Sequence, residues 1–183
     1  MAYIQPLPRT DYEGYAYRDD FESDGYYDVH LRSSDGGFKA DLVRMPFPTT
    51  YHKNDLRHLY TQGGDAPEAH GILQDGQLAA LIEFTPEVWN NRLRILSLWV
   101  HPEFRREGYG RQLIDLAKEK AAEYGRRAIV MTVESSNAPA IRFYLTQGFM
   151  LSGFDTTAFS NEDMERKEVL LSLTYRPPRR PRG

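Results

Sequence analysis

An apolar run that leads through a glycine-bearing loop into an amphipathic helix constrains this chain more than any other feature. The run is Leu93 to Val100 (LRILSLWV), the loop is Phe104 to Arg111 (FRREGYGR), and the predicted helix covers Tyr109 to Tyr124. The helix has apolar residues at helical spacing: Leu113, Ile114, Ala117 and Ala121. A strand, loop and helix in this order aim backbone N–H groups and the positive end of the helix dipole at one point. The pattern therefore predicts an anion site that suits a phosphate or pyrophosphate.

The composition of the loop supports an anion site but does not identify the anion. Gly108 and Gly110 let the backbone approach a ligand without a Cβ in the way, and the loop also carries three cationic residues, Arg105, Arg106 and Arg111. A dinucleotide fold would place a third glycine or alanine where Leu113 stands, and no Gly-Lys-Ser/Thr of an NTPase loop follows. Taken alone, the loop could equally be a tight turn with solvated arginines.

Strands and helices alternate along the rest of the chain, which predicts a mixed α/β domain. A second helix is predicted from the N-cap Asn137 to Gly148, and a short helix is expected around 55–60. The remaining predicted strands are Tyr26–Arg32, Phe38–Arg44, Ala69–Leu73, Leu78–Phe84, Ala128–Val133, Phe149–Ser152 and Lys167–Thr174.

Length and composition narrow the class of protein further. A chain of 183 residues with net charge −3 predicts one domain over residues 1–175, with no overall field for nucleic acid or an anionic membrane. There is no cysteine, hence no thiolate nucleophile and no cysteine-based metal site. No secretory signal or apolar span is visible, so we expect a cytoplasmic protein. The tail 176–183 (RPPRRPRG) could be a nucleic-acid arm, but a disordered terminus is favoured.

Two motifs together resemble the acetyl-CoA site of the GNAT superfamily of N-acetyltransferases. They are V-H-P-x-F-R-x-x-G-x-G, which ends at Gly110, and S-N-x-x-A-I-x-F-Y-x-x-x-G-F, which runs from Ser136 to Phe149. The resemblance implies the GNAT fold, with a central mixed, mostly antiparallel sheet, one splayed pair of strands and flanking helices. It also implies acetyl-CoA as co-substrate and no metal.

The resemblance also implies roles for individual residues. The loop amides would hold the CoA pyrophosphate, the strand and Asn137 would hold the pantetheine arm, and Tyr144 would give a proton to the departing thiolate. A backbone N–H of Leu98 or Val100 would polarise the thioester carbonyl. Asn137 could instead only cap a helix, and Tyr144 could only pack. The implied donor-site residues are Leu98, Trp99, Val100, Arg105, Arg106, Gly108, Tyr109, Gly110, Arg111 and Asn137.

The general base for the acceptor amine is left open by the sequence. A free amine with a pKa near ~10.4 is almost wholly charged at neutral pH and must lose a proton before it attacks. Ser97 and Thr132 stand where many relatives carry carboxylates, so Glu83 and Glu134 remain as candidates. Either one could instead be a surface carboxylate, and a hydrated channel could also carry the proton away.

The flanking sequence is similar to the streptothricin acetyltransferases, a branch linked to antibiotic resistance. The matches are YDVHL followed by GGF, VWNN, and QGFMLSGFDTTAFSN. In that branch the acceptor is the β-lysine amine of a cationic antibiotic, which an acidic, aromatic pocket would suit. Residues that could form such a pocket, or could instead be core and solvent-facing, are Tyr26, Tyr27, Asp28, Trp89 and Asp155.

This chain departs from the branch near Leu96 and Ser97, where acidic residues are usual, and it has T-V-E at 132–134 in place of E-T-Q. Two alternatives therefore remain: an acetyltransferase of protein N-termini or lysines, or a non-catalytic CoA-binding module. We expect a small-molecule amine as the partner, with no nucleic acid or membrane, and a homodimer is possible because many relatives dimerise.

Overall fold

The computed structural model describes residues 3–178, which cluster into two compact units. The first unit comprises residues 3–19, 56–131 and 174–178, and the second comprises 20–55 and 132–173. A single domain over residues 1–175 stays a prediction. Of the predicted disordered tail, residues 176–178 have no regular secondary structure, and 179–183 lie outside the described residues.

The described residues form eleven strands and four α-helices. The strands are β1 (Tyr3–Pro6), β2 (Ala16–Arg18), β3 (Phe21–Ser34), β4 (Gly37–Lys53), β5 (Leu56–His58), β6 (Glu68–Gln74), β7 (Gln77–Glu87), β8 (Arg92–Val100), β9 (Ala128–Glu134), β10 (Met150–Asp155) and β11 (Leu170–Tyr175). The helices are α1 (Arg9–Tyr12), α2 (Tyr109–Glu123), α3 (Ala138–Thr146) and α4 (Asp163–Arg166). Short 3-10 turns cover Val88–Asn90 and Pro102–Phe104. None of these helices is both long and apolar enough to span a bilayer.

The first unit is built on a sheet with the strand order β1-β6-β7-β8-β9. Every neighbouring pair is antiparallel except β8 and β9, which run parallel. In the second unit β11 lies beside β10. The prediction of a mixed, mostly antiparallel sheet is therefore confirmed.

A bulge in β8 decides which side chains share a face of this sheet. Glu83 pairs with Ser97 and Phe84 pairs with Ile95, so Leu96 is the extra residue. Cross-strand partners lie on the same face, and residues two apart along β7 do as well. One face therefore carries Leu81, Glu83 and Thr85 of β7 with their partners Trp99, Ser97 and Arg94 of β8. Although Leu93 to Val100 is a nearly continuous apolar run, residues of β8 alternate between buried and half-buried.

Helix boundaries follow the predicted capping residues. Asn137 Oδ1 accepts a hydrogen bond from the Ala140 amide at 3.1 Å, which caps α3. Gly125 and Gly148 follow the C-caps of α2 and α3 with φ of 62° and 87°, the left-handed conformation in which glycine costs least. The apolar stripe of α2 packs against β6, β7 and β8.

The hairpin of β3 and β4 in the second unit is longer than predicted. Its two strands pair from Phe21↔Lys53 to Ser34↔Gly37, and the turn falls within the segment SSDGG, residues 33–37. The predicted helix around 55–60 is wrong. Leu56–His58 instead pairs with Ala16–Arg18, because a ladder with a distant strand outweighs the weak helical preference of a short polar segment.

Candidate functional site

The parallel pairing of β8 with β9 covers only the first residues of the two strands. The paired residues are Arg92↔Ala128, Leu93↔Ile129 and Arg94↔Val130, whereas β8 continues to Val100. Within the described chain, residues 95–100 therefore have β7 as their only paired strand. Backbone groups on the other edge of β8 are available to a ligand, although the Val100 carbonyl accepts from Arg105 Nε at 3.3 Å.

The loop after β8 presents the unpaired amides of a helix N-terminus. The first intrahelical bond of α2 runs from the Gln112 amide to the Gly108 carbonyl at 3.1 Å. The N–H groups of residues 109–111 consequently have no acceptor within the helix. Gly108 has φ of 83°, and a Cβ built on it would meet no atom within 4 Å. This open space beside first-turn amides fits an anionic group.

The tyrosine of the loop is buried, whereas its three arginines are exposed. Tyr109 is buried and its hydroxyl donates to Gln74 Oε1, so it can offer a ligand only its backbone. The guanidinium groups of Arg105, Arg106 and Arg111 are exposed. Arg111 Nε lies 3.8 Å from Asp115 Oδ2. The cationic groups are thus accessible to a phosphate at the loop.

The predicted pantetheine-binding residues of β8 can likewise act through their backbone. The Trp99 ring is buried, lies 5.5 Å from the Tyr17 ring, and donates from Nε1 to the Arg18 carbonyl at 2.7 Å. Leu98 and Val100 are half-buried. The sequence did not predict the hydrogen bond of the Trp99 indole, because its acceptor, the Arg18 carbonyl, lies 81 residues away.

Glu83 is a fully buried carboxyl group with one unused oxygen. Its Oε1 accepts a hydrogen bond from the Tyr60 amide at 3.0 Å, and its Oε2 has no hydrogen-bond partner within residues 3–178. Burial raises the pKa of Glu83, against the opposing effects of the Tyr60 N–H and the Arg9 charge. A raised pKa makes the carboxylate of Glu83 a better proton acceptor than an exposed carboxylate.

Ser97, the cross-strand partner of Glu83, lies in a polar cluster. Its Oγ accepts from the Tyr17 hydroxyl and from Gln62 Nε2, each at 2.7 Å. Burial raises the pKa of Tyr17 to about 12, so the phenol stays protonated as a donor. Through its bond to Gln62, Ser97 thus holds one end of the loop of residues 62–65, which also lines a cavity.

A cavity of about 280 Å³ lies on the first unit beside this cluster. Trp89, predicted to bind the acceptor, is 83% exposed and lies on its wall. The cavity is lined by Gln62, Gly63, Gly64, Asp65, Thr85, Pro86, Glu87, Trp89, Arg94 and Leu96. The sequence predicted no role for the 62–65 loop or Arg94, since the loop residues resemble any polar turn and Arg94 any strand cation.

The other predicted residues lie in the second unit. Tyr144 is buried in α3, with its ring 5.2 Å from that of Phe143 and 5.8 Å from that of Phe149. Capping by Asn137 uses its Oδ1, so the amide nitrogen of that side chain is not consumed by the cap. Glu134 Oε2 lies 2.6 Å from Lys53 Nζ, which makes this carboxylate a less suitable base than Glu83.

The predicted acceptor residues of the second unit have structural partners. Asp28 Oδ1 lies 2.9 Å from Lys167 Nζ, and Lys167 also lies over the Tyr26 ring at 5.2 Å. Asp155 accepts from the amide and hydroxyl of Thr157. The half-buried Tyr27 donates its amide to the Ser135 carbonyl at 2.9 Å. In the described structure the charge of Asp28 is therefore paired with Lys167, and the carboxylate of Asp155 is hydrogen-bonded to Thr157.

A match to the acetyltransferase (GNAT) family extends over residues 39–149. This is more than half of the chain, and the protein therefore belongs to the GNAT acetyltransferase family. The match includes both the glycine loop and Tyr144, in agreement with the resemblance of the two motifs.

Individual relatives are streptothricin and nourseothricin acetyltransferases. The chain is 34% identical over 96 residues to the streptothricin acetyltransferase of Streptomyces lavendulae, which is 52% of this chain and 51% of that protein; the match thus spans about half the length of each. The crystal structure of nourseothricin acetyltransferase superposes with a TM-score of 0.74 at 26% identity, covering 97% of this chain and 99% of that one. A provisionally named streptothricin acetyltransferase from Bacillus anthracis str. Ames, solved with acetyl coenzyme A, shares the fold with a TM-score of 0.74 at 23% identity, covering 97% and 98%.

Proposed function

We propose that this protein transfers the acetyl group of acetyl-CoA to a primary amine of a small cationic molecule, with streptothricin as the first acceptor to test. The observation that carries the proposal is the early end of the β8–β9 ladder, followed by a loop at which the first amides of α2 have no acceptor within the helix. An opened strand edge offers hydrogen bonds to an amide-rich arm, and the helix N-terminus offers an anion site to a pyrophosphate.

Residues of both motifs would hold acetyl-CoA, which supplies an activated acetyl thioester. The amides from Arg105 to Arg111 would bind the pyrophosphate, with the exposed guanidinium groups beside it. The backbone of Leu98, Trp99 and Val100 and the Asn137 amide would bind the pantetheine arm. The open space above Gly108 supports this assignment.

The chemistry needs a base, an oxyanion donor and an acid. Glu83, directly or through water, first takes a proton from the ammonium group, and the neutral nitrogen then bonds to the acetyl carbon. A backbone N–H of Leu98 or Val100 donates to the carbonyl oxygen; one well-aimed donor of this kind is worth about 3 kcal/mol. Tyr144 gives its proton to the sulfur as the C–S bond breaks, the nitrogen releases its second proton to solvent, and solvent reprotonates the phenolate. The products are the acetylated amine and free CoA.

Two measurements test this proposal. Calorimetry should show saturable binding of acetyl-CoA to the purified protein, and CoA release should depend on added amine. Streptothricin, a polyamine, an aminoglycoside and a peptide with a free N-terminus are the acceptors to compare. Absence of acetyl-CoA binding contradicts the whole proposal, whereas turnover with the peptide alone would reassign the acceptor to a protein.

A further inference from the structure

The cavity on the first unit has a wall that is firmly attached to the sheet. Gln62 bonds to Ser97 Oγ at 2.7 Å, and the Ala66 amide bonds to Thr85 Oγ1 at 3.4 Å. Between them, a Cβ on Gly64 would lie 2.6 Å from Thr85 Oγ1, and Gly64 has φ of 126°. Only glycine lets the loop approach β7 so closely, so the cavity has a defined shape.

The cavity opens on the same face of the sheet that carries Glu83. Thr85 and Glu87 follow Glu83 at two-residue intervals on β7, and both line the cavity. Residues two apart on a strand lie about 6.6 Å apart on the same face. The buried Oε2 of Glu83, which has no partner within residues 3–178, therefore belongs to the face on which the cavity opens.

Some charged groups of the cavity wall already have an ion-pair partner in the protein, and others do not. Glu87 accepts from Arg94 Nε and, at 2.9 Å, from Arg92 Nε, so its charge is compensated and the two guanidinium groups share this one carboxylate. Asp65 is exposed and has no hydrogen bond or ion pair among the described residues. It is the carboxylate of the wall that remains for a ligand cation.

Trp89 adds an exposed aromatic surface to the same wall. The Arg92 guanidinium carbon lies 6.0 Å from the centroid of its ring, so this indole already attracts one cation of the protein. An indole with 83% exposure has further surface on which a ligand cation can lie. A carboxylate and an indole at one cavity are the groups that recognise an ammonium ion.

We infer that this cavity receives the amine acceptor, and that Asp65 and Trp89 select acceptors with a second positive charge besides the amine that reacts. This inference rests on the proposed function and adds to it the class of acceptor and the residues that choose it. The amine that loses its proton lies toward Glu83, and the second cation lies toward Asp65.

Equilibrium binding of streptothricin in the presence of free CoA tests the inference without requiring turnover. Asp65→Asn should weaken binding about two- to fivefold, because it removes one partly solvated charge pair, and Asp65→Lys should weaken it more. Trp89→Leu should weaken it about threefold. Affinity for acetyl-CoA should stay within twofold in all three variants.

The matched control is Asp75→Asn, which removes the same charge from the exposed turn between β6 and β7. Asp75 has φ of 51°, which asparagine tolerates, so this variant should bind streptothricin like the parent. Unchanged streptothricin affinity in both Asp65 variants would overturn the inference while acetyl-CoA-dependent turnover still stood. Absence of streptothricin binding to the parent protein would overturn it as well, and turnover with another amine would show that the proposed function survives.

Discussion

The backbone N–H of Tyr60 donates a 3.0 Å hydrogen bond to Oε1 of the fully buried Glu83. This contact fixes the carboxyl group while its other oxygen stays without a partner in the described chain. A buried carboxyl group with a raised pKa costs free energy when it ionises. This cost of ionisation makes the carboxylate a stronger proton acceptor, which the proposed amine acetylation requires.

Glu83→Gln is expected to lower kcat by about a hundredfold or more, because an amide can still accept from Tyr60 but cannot take the proton of the amine. Since the pKa of Glu83 is raised, kcat/KM of the parent should fall as pH falls through that pKa. In Glu83→Gln this decrease of kcat/KM at low pH should be absent. Steady-state rates from pH 5 to 9 test both points, and a rate within twofold of the parent would exclude Glu83 as the base.

The same carboxyl group should make stability depend on pH. With its pKa raised in the folded state, the folded protein binds more protons than the unfolded chain, so stability falls as pH rises through this range. The contribution is most favourable below the unfolded-state pKa and is lost above the folded-state value. Thermal unfolding from pH 5 to 8 should therefore show a larger decrease in Tm for the parent than for Glu83→Gln, and parallel curves would contradict this.

Glu134→Gln should reduce stability rather than catalysis. Lys53 lies 2.6 Å from Glu134 and 3.3 Å from Glu168; burial lowers the pKa of Lys53, but these two carboxylates outweigh it and raise the pKa overall. Loss of the shorter, partly buried contact should cost about 1–3 kcal/mol of unfolding free energy. Urea denaturation and kcat should be measured together, with Glu168→Gln as the milder comparison. A large loss of kcat at unchanged stability would instead make Glu134 the base.

Tyr144→Phe is expected to bind acetyl-CoA normally but to lower turnover about ten- to a thousandfold, as expected for loss of a general acid. Tyr124→Phe is the control, because it removes a hydroxyl that bonds to Glu68 at 2.8 Å and should leave turnover unchanged. Calorimetry and single-turnover kinetics separate binding from chemistry. An unchanged rate in Tyr144→Phe would remove this phenol from the mechanism.

Gly108→Val should abolish measurable binding of acetyl-CoA, because a β-branched side chain would occupy the space beside the first-turn amides. Gly125→Val is a matched control at the other end of α2. Both glycines have positive φ, 83° and 62°, and open space at the Cβ position, so both variants should carry a similar backbone strain of about 1–2 kcal/mol. Equal acetyl-CoA affinities for the two variants would mean that the loop is only a turn.

The local elements were predictable where short-range chemistry determines them. Asn137 caps α3 and Gly125 and Gly148 follow helix ends, since a side-chain acceptor and a positive φ are requirements that neighbouring residues set. The prediction of a helix around 55–60 was wrong because the conformation of this segment depends on pairing with Ala16–Arg18, far away in sequence. A polar segment with weak intrinsic preference takes the structure that its partner strand allows.

The amino-acid sequence by itself determined the family, the sheet and the glycine loop, because alternating apolar patterns and glycines at set positions are local requirements of backbone geometry and burial. Tertiary structure alone decided that Glu83 is buried, that its Oε2 has no partner within residues 3–178, and that the loop at Gly64 lies against Thr85 beside a cavity. Burial and close approach depend on which distant segments pack together. The sequence determines the type and the formal charge of a residue, but the packing of distant segments determines its proton affinity and its partners.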